Sequence, residues 1–197
     1  MNTGNSGQAS SGKRASARER LLAAADELFY GEGVNTVGID RVIERAGVAK
    51  ASLYDCFGSK DELIRAYLQA QLASRQARME RKLAQCGTPR DKILGVFDSM
   101  AQRIAQPEYR GCPFVRASAE ARPGSAVQQV CAESRAWLLG LFTQLARAAG
   151  AADPQALGRQ LQMLYDGASV SADIDSNRGS AATARAMAEL ALDAAIR

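Results

Sequence analysis

The sequence contains no histidine. This absence removes the side chain most often used for acid–base catalysis near neutral pH. No nucleophile–base motif is present among the remaining residues, so the composition does not indicate an enzyme. The four cysteines, Cys56, Cys86, Cys112 and Cys131, are scattered without a CxxC pair, and a zinc site would require distant cysteines to converge. We therefore expect no catalytic site, metal or cofactor.

Long apolar runs are also lacking. No segment approaches the roughly 20 apolar residues that a membrane-spanning helix requires, and the N-terminal MNTGNSGQASSGKR has no apolar signal-peptide core. Residues 1–14 are rich in Gly, Ser, Asn and Gln, which predicts a disordered arm. We expect a cytoplasmic protein with free thiols and no membrane partner.

Aromatic residues make up only 6% of the chain, whereas apolar residues make up 47% and are mainly Ala and Leu. This composition favours helices, because Ala and Leu lose little side-chain freedom in a helix. The formal net charge of +4 is modest for a chain of this length. Any binding to nucleic acid must therefore depend on specifically placed residues rather than on a general excess of cations.

Helical periodicity runs along the whole sequence, beginning with Leu21, Leu22, Ala25, Leu28 and Phe29. Glycines or prolines separate the periodic segments, and strand-like alternation is absent. The sequence predicts an all-α fold of about nine helices. We expect a DNA-binding domain over residues 15–62 and a second helical domain over 63–197, with the fourth helix bridging the two and the last helix ending at Arg197.

Several helix starts have local signals. Ser59 is predicted to cap the fourth helix, with Glu62 completing a capping box. Thr88-Pro89 and Asp153-Pro154 each place a capping side chain before a proline at the first helical position.

Two short helices joined by AGV (46–48) have the spacing of a helix-turn-helix, with Gly47 as the small residue in the turn. A helical wheel places Leu53 and Phe57 toward the core and Cys56 at its margin. The opposite face presents Ala51, Ser52, Tyr54 and Asp55, with Lys50 at its entrance. Such a face can lie in the major groove of DNA. An ordinary turn between short helices, with a surface tyrosine, fits the spacing equally well.

The segment TVGIDRVIERAGVAKASLYDCFGSKDELIRAYL, with the preceding LLAAADELFYGEG, resembles the N-terminal domain of TetR-family transcriptional regulators over residues 18–68. RGCPFVRASAE, ADPQALGRQL and LYDGASVSA resemble the C-terminal domain of one subgroup of that family. The resemblance implies a homodimer that binds a palindromic operator in double-stranded DNA, and a variable ligand domain. It also implies that Lys50, Ser52, Tyr54 and Lys60 contact DNA, since they match family positions that do so.

Two positions depart from the family pattern. Ala49 replaces a common capping serine and Val37 replaces a common threonine, so we expect Thr36 to cap the second helix and to lie at the DNA surface. Asp55 occupies a variable position on the outward face. A carboxylate there repels phosphate but can accept a hydrogen bond from the amino group of cytosine, so we expect Asp55 to tune the choice of operator.

A helical regulator of this kind holds its small-molecule effector between helices. The large apolar side chains of the second domain could line such a cavity, and the alternative for each is plain core packing. They are Phe97, Met100, Ile104, Phe114, Trp137, Phe142 and Met163. The side chains that could orient a ligand are Tyr109, Arg116, Tyr165 and Asp166, with a surface position or a satisfied ion pair as the alternative. We expect a repressor that an unidentified effector releases from its operator.

Two other mechanisms stay open. Cys112 lies between Arg110 and Arg116, which could lower its pKa and make it a sensor of oxidants; otherwise it is a half-buried apolar residue. The protein could also act without an effector.

The last two helices are predicted to form the homodimer interface, and packing within one chain is the alternative. The residues expected there are Leu157, Leu161, Leu164, Ala168, Ala184, Met187, Ala188, Ala191 and Ala195.

Overall fold

The computed structural model describes residues 15–196, and within this range the chain forms nine helices and no strand. The prediction of an all-α fold is confirmed. The predicted arm over residues 1–14 lies outside the described residues. The helices are α1 (Ala17–Glu32), α2 (Ile39–Ala46), α3 (Lys50–Phe57), α4 (Lys60–Leu83), α5 (Pro89–Ile104), α6 (Pro113–Glu120), α7 (Ala126–Ala148), α8 (Pro154–Ile174) and α9 (Ser180–Ala195).

Local capping explains most of the helix starts. Ser16 and Glu19 form a reciprocal capping box at the start of α1, and Thr88 and Asp91 form one at α5. The Asp153 carboxylate accepts a hydrogen bond from the N–H of Ala156 at the start of α8. These bonds satisfy backbone donors that lack partners within the first turn.

Three predicted helix ends differ in the structure. Gly38, in an extended conformation, caps α2 without a side-chain hydrogen bond, so Thr36 is not the cap. At α4 the Ser59 hydroxyl accepts from the N–H of Glu62, but the Glu62 carboxylate bonds Arg65 instead of closing a capping box. The last helix ends at Ala195, and Arg197 lies outside the described residues.

A first hydrophobic cluster joins α1, α2, α3 and the N-terminal part of α4. Leu21, Leu53 and Leu63 are fully buried at its centre. The cluster also takes in Phe114 of α6 and Val130 of α7. The domain boundary after residue 62 stays a prediction, since packing in this cluster continues well beyond that point in the chain.

A second cluster fills the space between α5, α7, α8 and α9. Phe97, Phe142 and Tyr165 meet at its centre, with ring centroids 5.8 to 6.3 Å apart. Helices α7 and α8 approach closely at Gly158, where a Cβ atom would lie only 3.1 Å from the backbone N of Thr143. Glycine at that position therefore sets the spacing of the two helices.

The residues expected at the subunit interface mostly pack within the chain. Leu157, Leu161, Ala168, Ala184 and Ala188 are buried in the second cluster, so the prediction that they face a partner is wrong. Both faces of α8 and α9 carry apolar residues, and the sequence did not distinguish the inner face from the outer one. None of the helices within residues 15–196 has the length and apolar character required to cross a bilayer.

Candidate nucleic-acid interface and interior cavities

The turn between α2 and α3 is fixed by a glycine and an arginine. Gly47 adopts the left-handed conformation, with φ 62° and ψ 45°, which side chains disfavour. The Nη1 atom of Arg20 on α1 donates to the carbonyl oxygens of Ala46 and Gly47, at 3.3 and 2.9 Å. These bonds hold the C-terminus of α2 against α1. Because the turn follows directly, they also fix the orientation of α3 relative to α1.

Helix α3 divides into an inner and an outer face as the helical wheel predicts. Leu53 is fully buried, and Cys56 and Phe57 are half-buried at the margin of the first cluster. The guanidinium of Arg18 lies over the Phe57 ring, 5.1 Å from its centroid. The outer face consists of Lys50, Ala51, Ser52, Tyr54 and Asp55, and all except half-buried Ser52 are exposed.

Lys50 has an ion-pair partner in the free chain. Its Nζ lies 3.0 Å from the Asp40 carboxylate on α2, and both side chains are exposed. The hydrogen bond to Asp40, and next the charge of that carboxylate, raise the pKa of Lys50. The Asp40 carboxylate offsets part of the positive charge that Lys50 would present to a phosphate. Because the pair is exposed, its exchange for a phosphate contact requires little free energy.

The start of α4 lies beside α3 in the chain, after the single break at Gly58. Lys60 is the first residue of α4, and Ser59 caps it. The unpaired N–H groups and the helix dipole favour an anion at such a position. Thr36, in the segment before α2, is exposed. Contacts of these residues with DNA remain predictions.

A small inner cavity of about 50 Å³ lies between α4, α5, α6 and α8. Arg75, Arg78 and Arg103 line it, together with Tyr109 and Tyr165. The Nη1 of Arg75 lies 3.2 Å from the Ser134 Oγ, and its Nη2 lies 3.2 Å from the Cys112 Sγ. The complete lining is Gln71, Arg75, Arg78, Ser99, Met100, Arg103, Tyr109, Gly111, Cys112, Pro113, Phe114, Tyr165 and Ser169.

A larger outer cleft, of about 500 Å³, opens between α4, α6, α7 and α8. Arg75, Cys112 and Phe114 line both the inner cavity and the outer cleft. Asp166 lines the cleft but forms an ion pair of 2.5 Å with Arg135. The remaining lining residues are Val115, Ser118, Ala119, Gln128, Cys131, Ala132, Ser134, Leu138 and Gln162.

The predicted ligand residues separate into three groups. Met100 and Tyr109 line the inner cavity, Asp166 lines the outer cleft, and Phe114 lines both. Phe97 and Ile104 are fully buried in the second cluster, and Trp137 packs against it. Met163 is 71% exposed on the outside of α8 and is not brought together with the others.

Sequence reasoning missed the three arginines of the inner cavity. Arginines on a long charged helix are ordinarily solvated, so Arg75 and Arg78 do not stand out in the sequence. A signal was present, because their spacing of three places both on one face of α4. Arg103 lies on α5 and comes near Arg75 and Arg78 only because α4 packs on α5, which the sequence does not indicate.

Tyr30, near the end of α1, connects the two halves of the chain. Its hydroxyl accepts a hydrogen bond from the N–H of Arg110 and donates one to the Gly111 carbonyl. The Nη1 of Arg116 donates to the Tyr30 carbonyl at 2.8 Å. The guanidinium of Arg103 lies 5.1 Å from the Tyr30 ring centroid. The residues around the inner cavity thus contact α1, the helix that packs with α2 and α3 in the first cluster.

An apolar surface covers the outer faces of α8 and α9. Five large apolar side chains there are exposed: Met163, Val170, Ile174, Met187 and Leu190. A groove of about 270 Å³ lies between the two helices, with Met163 and Met187 among its lining residues.

Comparisons with known proteins agree with this architecture. Residues 21–67 match the model for bacterial regulatory proteins of the tetR family. The chain is similar to SCO4454, a TetR-family transcriptional regulator from Streptomyces coelicolor, with 34% identity over 92% of this chain and 96% of that one, and a TM-score of 0.87. A putative TetR-type transcriptional regulator from Streptomyces avermitilis is 33% identical over 92% and 98% of the two chains, with a TM-score of 0.81.

Two curated relatives match over shorter segments. The transcriptional repressor NemR of Escherichia coli is 31% identical over 105 residues, which are 52% of this chain and 53% of that protein. The transcriptional activator FasR of Mycolicibacterium smegmatis is 48% identical over 52 residues, 26% of this chain and 24% of that protein. The chain thus spans about half the length of NemR and a quarter of FasR.

Proposed function

Because the chain belongs to the TetR family of transcriptional regulators, we propose that it binds a palindromic DNA operator as a homodimer and represses transcription until a small-molecule effector releases it. The observation that carries this proposal is the outer face of α3, which is exposed and polar while Leu53 on the opposite face is fully buried. Arg20 holds the preceding turn, so that this face is presented in a defined direction.

In the proposed complex α3 lies in the major groove, which is wide enough to admit a helix. Lys50 and Lys60 bind phosphates on either side of the groove, since cations and a helix N-terminus both attract them. The hydroxyls of Ser52 and Tyr54 bond phosphate oxygens or base edges, and the small side chain of Ala51 permits close approach. Thr36 lies at the edge of this surface.

The exposed apolar surface of α8 and α9 supports a homodimer. Ile174 is 76% exposed in the isolated chain, and four more large apolar residues lie on the same two helices. A contiguous apolar surface of this kind is typical of a protein–protein interface. A second copy of the chain would cover it and would bring two α3 helices to two half-sites of a palindrome.

The effector part of the proposal is supported by the two adjoining cavities and by their contacts with α1. The loop before α6 lines the inner cavity and bonds Tyr30. A ligand that moves this loop would therefore shift α1 and the turn that Arg20 fixes. NemR is named a repressor and FasR an activator, so a transcription assay with and without the protein must decide the direction of regulation.

DNA retention at several salt concentrations tests the DNA-binding part. A specific dimer should lose affinity steeply as salt rises, with the logarithm of the binding constant falling by about 0.9 for each neutralised phosphate. Lys60→Ala should reduce that slope by about 1. The matched control is Arg81→Ala, an exposed cation on the same helix and about 30 Å away. Equal slopes in the two variants would contradict the assignment of Lys60.

A second candidate function is oxidant sensing through Cys112. The observation that favours it is the Arg75 guanidinium 3.2 Å from the sulfur, since a cation stabilises a thiolate. Cys131 lines the same cleft, but burial raises the pKa of its thiol to about 11, which makes it a poor nucleophile.

Hydrogen peroxide tests the oxidant-sensing candidate. If Cys112 is the sensor, peroxide should release the protein from DNA, Cys112→Ser should not respond and Cys131→Ala should still respond. An unchanged response in Cys112→Ser would dismiss the candidate. A regulator that acts without an effector would stay bound to DNA under every condition tested.

A further inference from the structure

The inner cavity brings three guanidinium groups together, and its lining contains no acidic residue. The three groups belong to Arg75, Arg78 and Arg103. In the part of the chain that the structure describes, no carboxylate lies within 4.0 Å of Arg75 or Arg78. The nearest one to Arg103 is Glu108, at 3.8 Å. Removing guanidinium groups from water without a counter-charge is unfavourable, so an anion from outside would be stabilised here.

Arg78 has unused hydrogen-bonding capacity in this cavity. Its Nε is buried and has no partner among residues 15–196. Burial lowers the pKa of Arg78, and the neighbouring charges of Arg75 and Arg103 lower it further. The guanidinium presents five N–H donors in a planar arrangement that matches the two oxygens of a carboxylate. A bound anion would supply the missing acceptor and reduce the repulsion between the arginines.

Arg75 bonds a hydroxyl and a sulfur atom rather than a carboxylate. Its two terminal nitrogens contact the Ser134 hydroxyl and the Cys112 thiol, which are weaker acceptors than a carboxylate. Burial raises the pKa of Tyr109, which also lines the cavity, to about 12, so this phenol is neutral and adds no negative charge.

The shapes of the two cavities indicate the rest of the ligand. The inner cavity, of about 50 Å³, holds only a few water-sized groups and therefore fits a head group alone. The outer cleft is ten times larger and is lined in part by Val115, Ala119, Ala132 and Leu138. Asp166 in the cleft is paired with Arg135, so its charge is compensated and does not exclude an anion.

From these observations, and resting on the proposed function, we propose that the effector is an organic acid with an apolar body. Its carboxylate binds Arg75, Arg78 and Arg103 in the inner cavity, and its apolar part occupies the outer cleft. Arg103 also stacks on Tyr30 of α1, 5.1 Å from the ring centroid. A carboxylate that draws Arg103 toward Arg75 and Arg78 would move its guanidinium relative to the Tyr30 ring, which gives the ligand a direct route to α1.

Thermal unfolding with a series of probes tests the proposal. The probes are the straight-chain carboxylates from butanoate to dodecanoate, the corresponding primary amides, and inorganic phosphate. We expect at least one acid to raise the unfolding temperature, because a ligand that binds the native state stabilises it. The amide of the same length should have little effect, because it lacks the charge. Phosphate alone should also have little effect, because it lacks an apolar body.

A pair of variants on α4 tests the role of the arginines. Arg78→Gln should weaken binding of the best acid by about tenfold or more, the loss expected for a charge-assisted hydrogen bond. Arg81→Gln removes an exposed arginine from the same helix and should leave binding within about twofold, since a surface charge contributes little. The comparison of acid with amide in the unchanged protein keeps the proposal testable if Arg78→Gln fails to fold.

Several results would overturn the proposal: no acid in the series binds, the amides or phosphate bind as well as the acids, or the two variants bind equally. DNA binding measured in parallel separates this inference from the proposed function. If the protein binds DNA but no acid, the organic-acid effector is ruled out and the proposal of operator binding is unaffected. If an acid binds but DNA affinity does not change, the proposed acid-binding site is supported. The proposal that the effector releases the protein from DNA is then contradicted.

Discussion

The hydroxyl of Tyr30 accepts a hydrogen bond of 2.9 Å from the backbone N–H of Arg110, 80 residues further along the chain. The same hydroxyl donates to the carbonyl of Gly111 at 3.3 Å. The end of α1 is thus attached to the loop that lines the inner cavity. This attachment is one of the direct contacts between the proposed ligand site and α1.

Tyr30→Phe should lower the free energy of unfolding by about 1 kcal/mol, since it removes one partly buried and one exposed hydrogen bond. Chemical denaturation measures this change. The matched control is Tyr67→Phe, a buried tyrosine of the same cluster whose hydroxyl bonds no other residue in the described range. Amide hydrogen exchange in the last turn of α1 should accelerate only in Tyr30→Phe. Equal effects of the two substitutions would contradict the role given to Tyr30.

Asp40→Asn should strengthen DNA binding roughly fivefold, because it frees Lys50 from its ion pair without altering α3. Fluorescence anisotropy with an operator duplex measures the change. Glu32→Gln is the matched control, since it removes the same charge from an exposed ion pair with Arg41 in the neighbouring part of the fold. If both variants gained affinity equally, net charge rather than the release of Lys50 would be the cause.

Asp55→Ala should raise the affinity for unrelated duplexes a few-fold while reducing the preference for the operator. The outward carboxylate repels phosphates everywhere, but it can accept a hydrogen bond from cytosine at one position. Binding to the operator and to its single-base variants measures both effects. A uniform weakening on every sequence would refute a role in specificity.

Ile174→Asp should weaken the proposed dimer about a hundredfold, because it places a charge in the apolar surface that the partner is proposed to cover. Met187→Asp on α9 should act in the same direction. Val115→Asp is the control, since Val115 is also an exposed apolar residue but lies on α6, away from this surface. Sedimentation velocity measures the oligomeric state. A dimer that survives both substitutions on α8 and α9 would locate the interface elsewhere.

The helical class and the starts of α4, α5 and α8 could be predicted because their causes are local. Thr88-Pro89 and Asp153-Pro154 carry their capping signals within four residues, and the structure uses them as expected. The cap of α2 could not be predicted in the same way. Gly38 caps α2 without a side-chain hydrogen bond, and Val37 before it is fully buried in the first cluster, so no capping side chain marks this start.

The ligand site was less predictable because it depends on which face of each helix turns inward. Met163 and Leu161 are two residues apart, yet Leu161 is fully buried and Met163 is exposed. Leu161 was predicted at the subunit interface and Met163 in a ligand cavity, and the packing of α8 on α7 and α9 reverses both assignments. Arg75 and Arg103 are 28 positions apart, and nothing local in the sequence indicates that they line one cavity.

Selection from a random duplex pool with the full chain tests the central claim most directly. The account predicts enrichment of an inverted repeat whose half-site centres lie about one turn of DNA, or a multiple of it, apart. A Tyr54→Ala, Lys60→Ala double variant should enrich no sequence, and Arg81→Ala should enrich the same repeat as the unchanged protein. Failure of the unchanged protein to enrich any sequence, or the same enrichment by the double variant, would contradict the claim that α3 and the start of α4 read the operator.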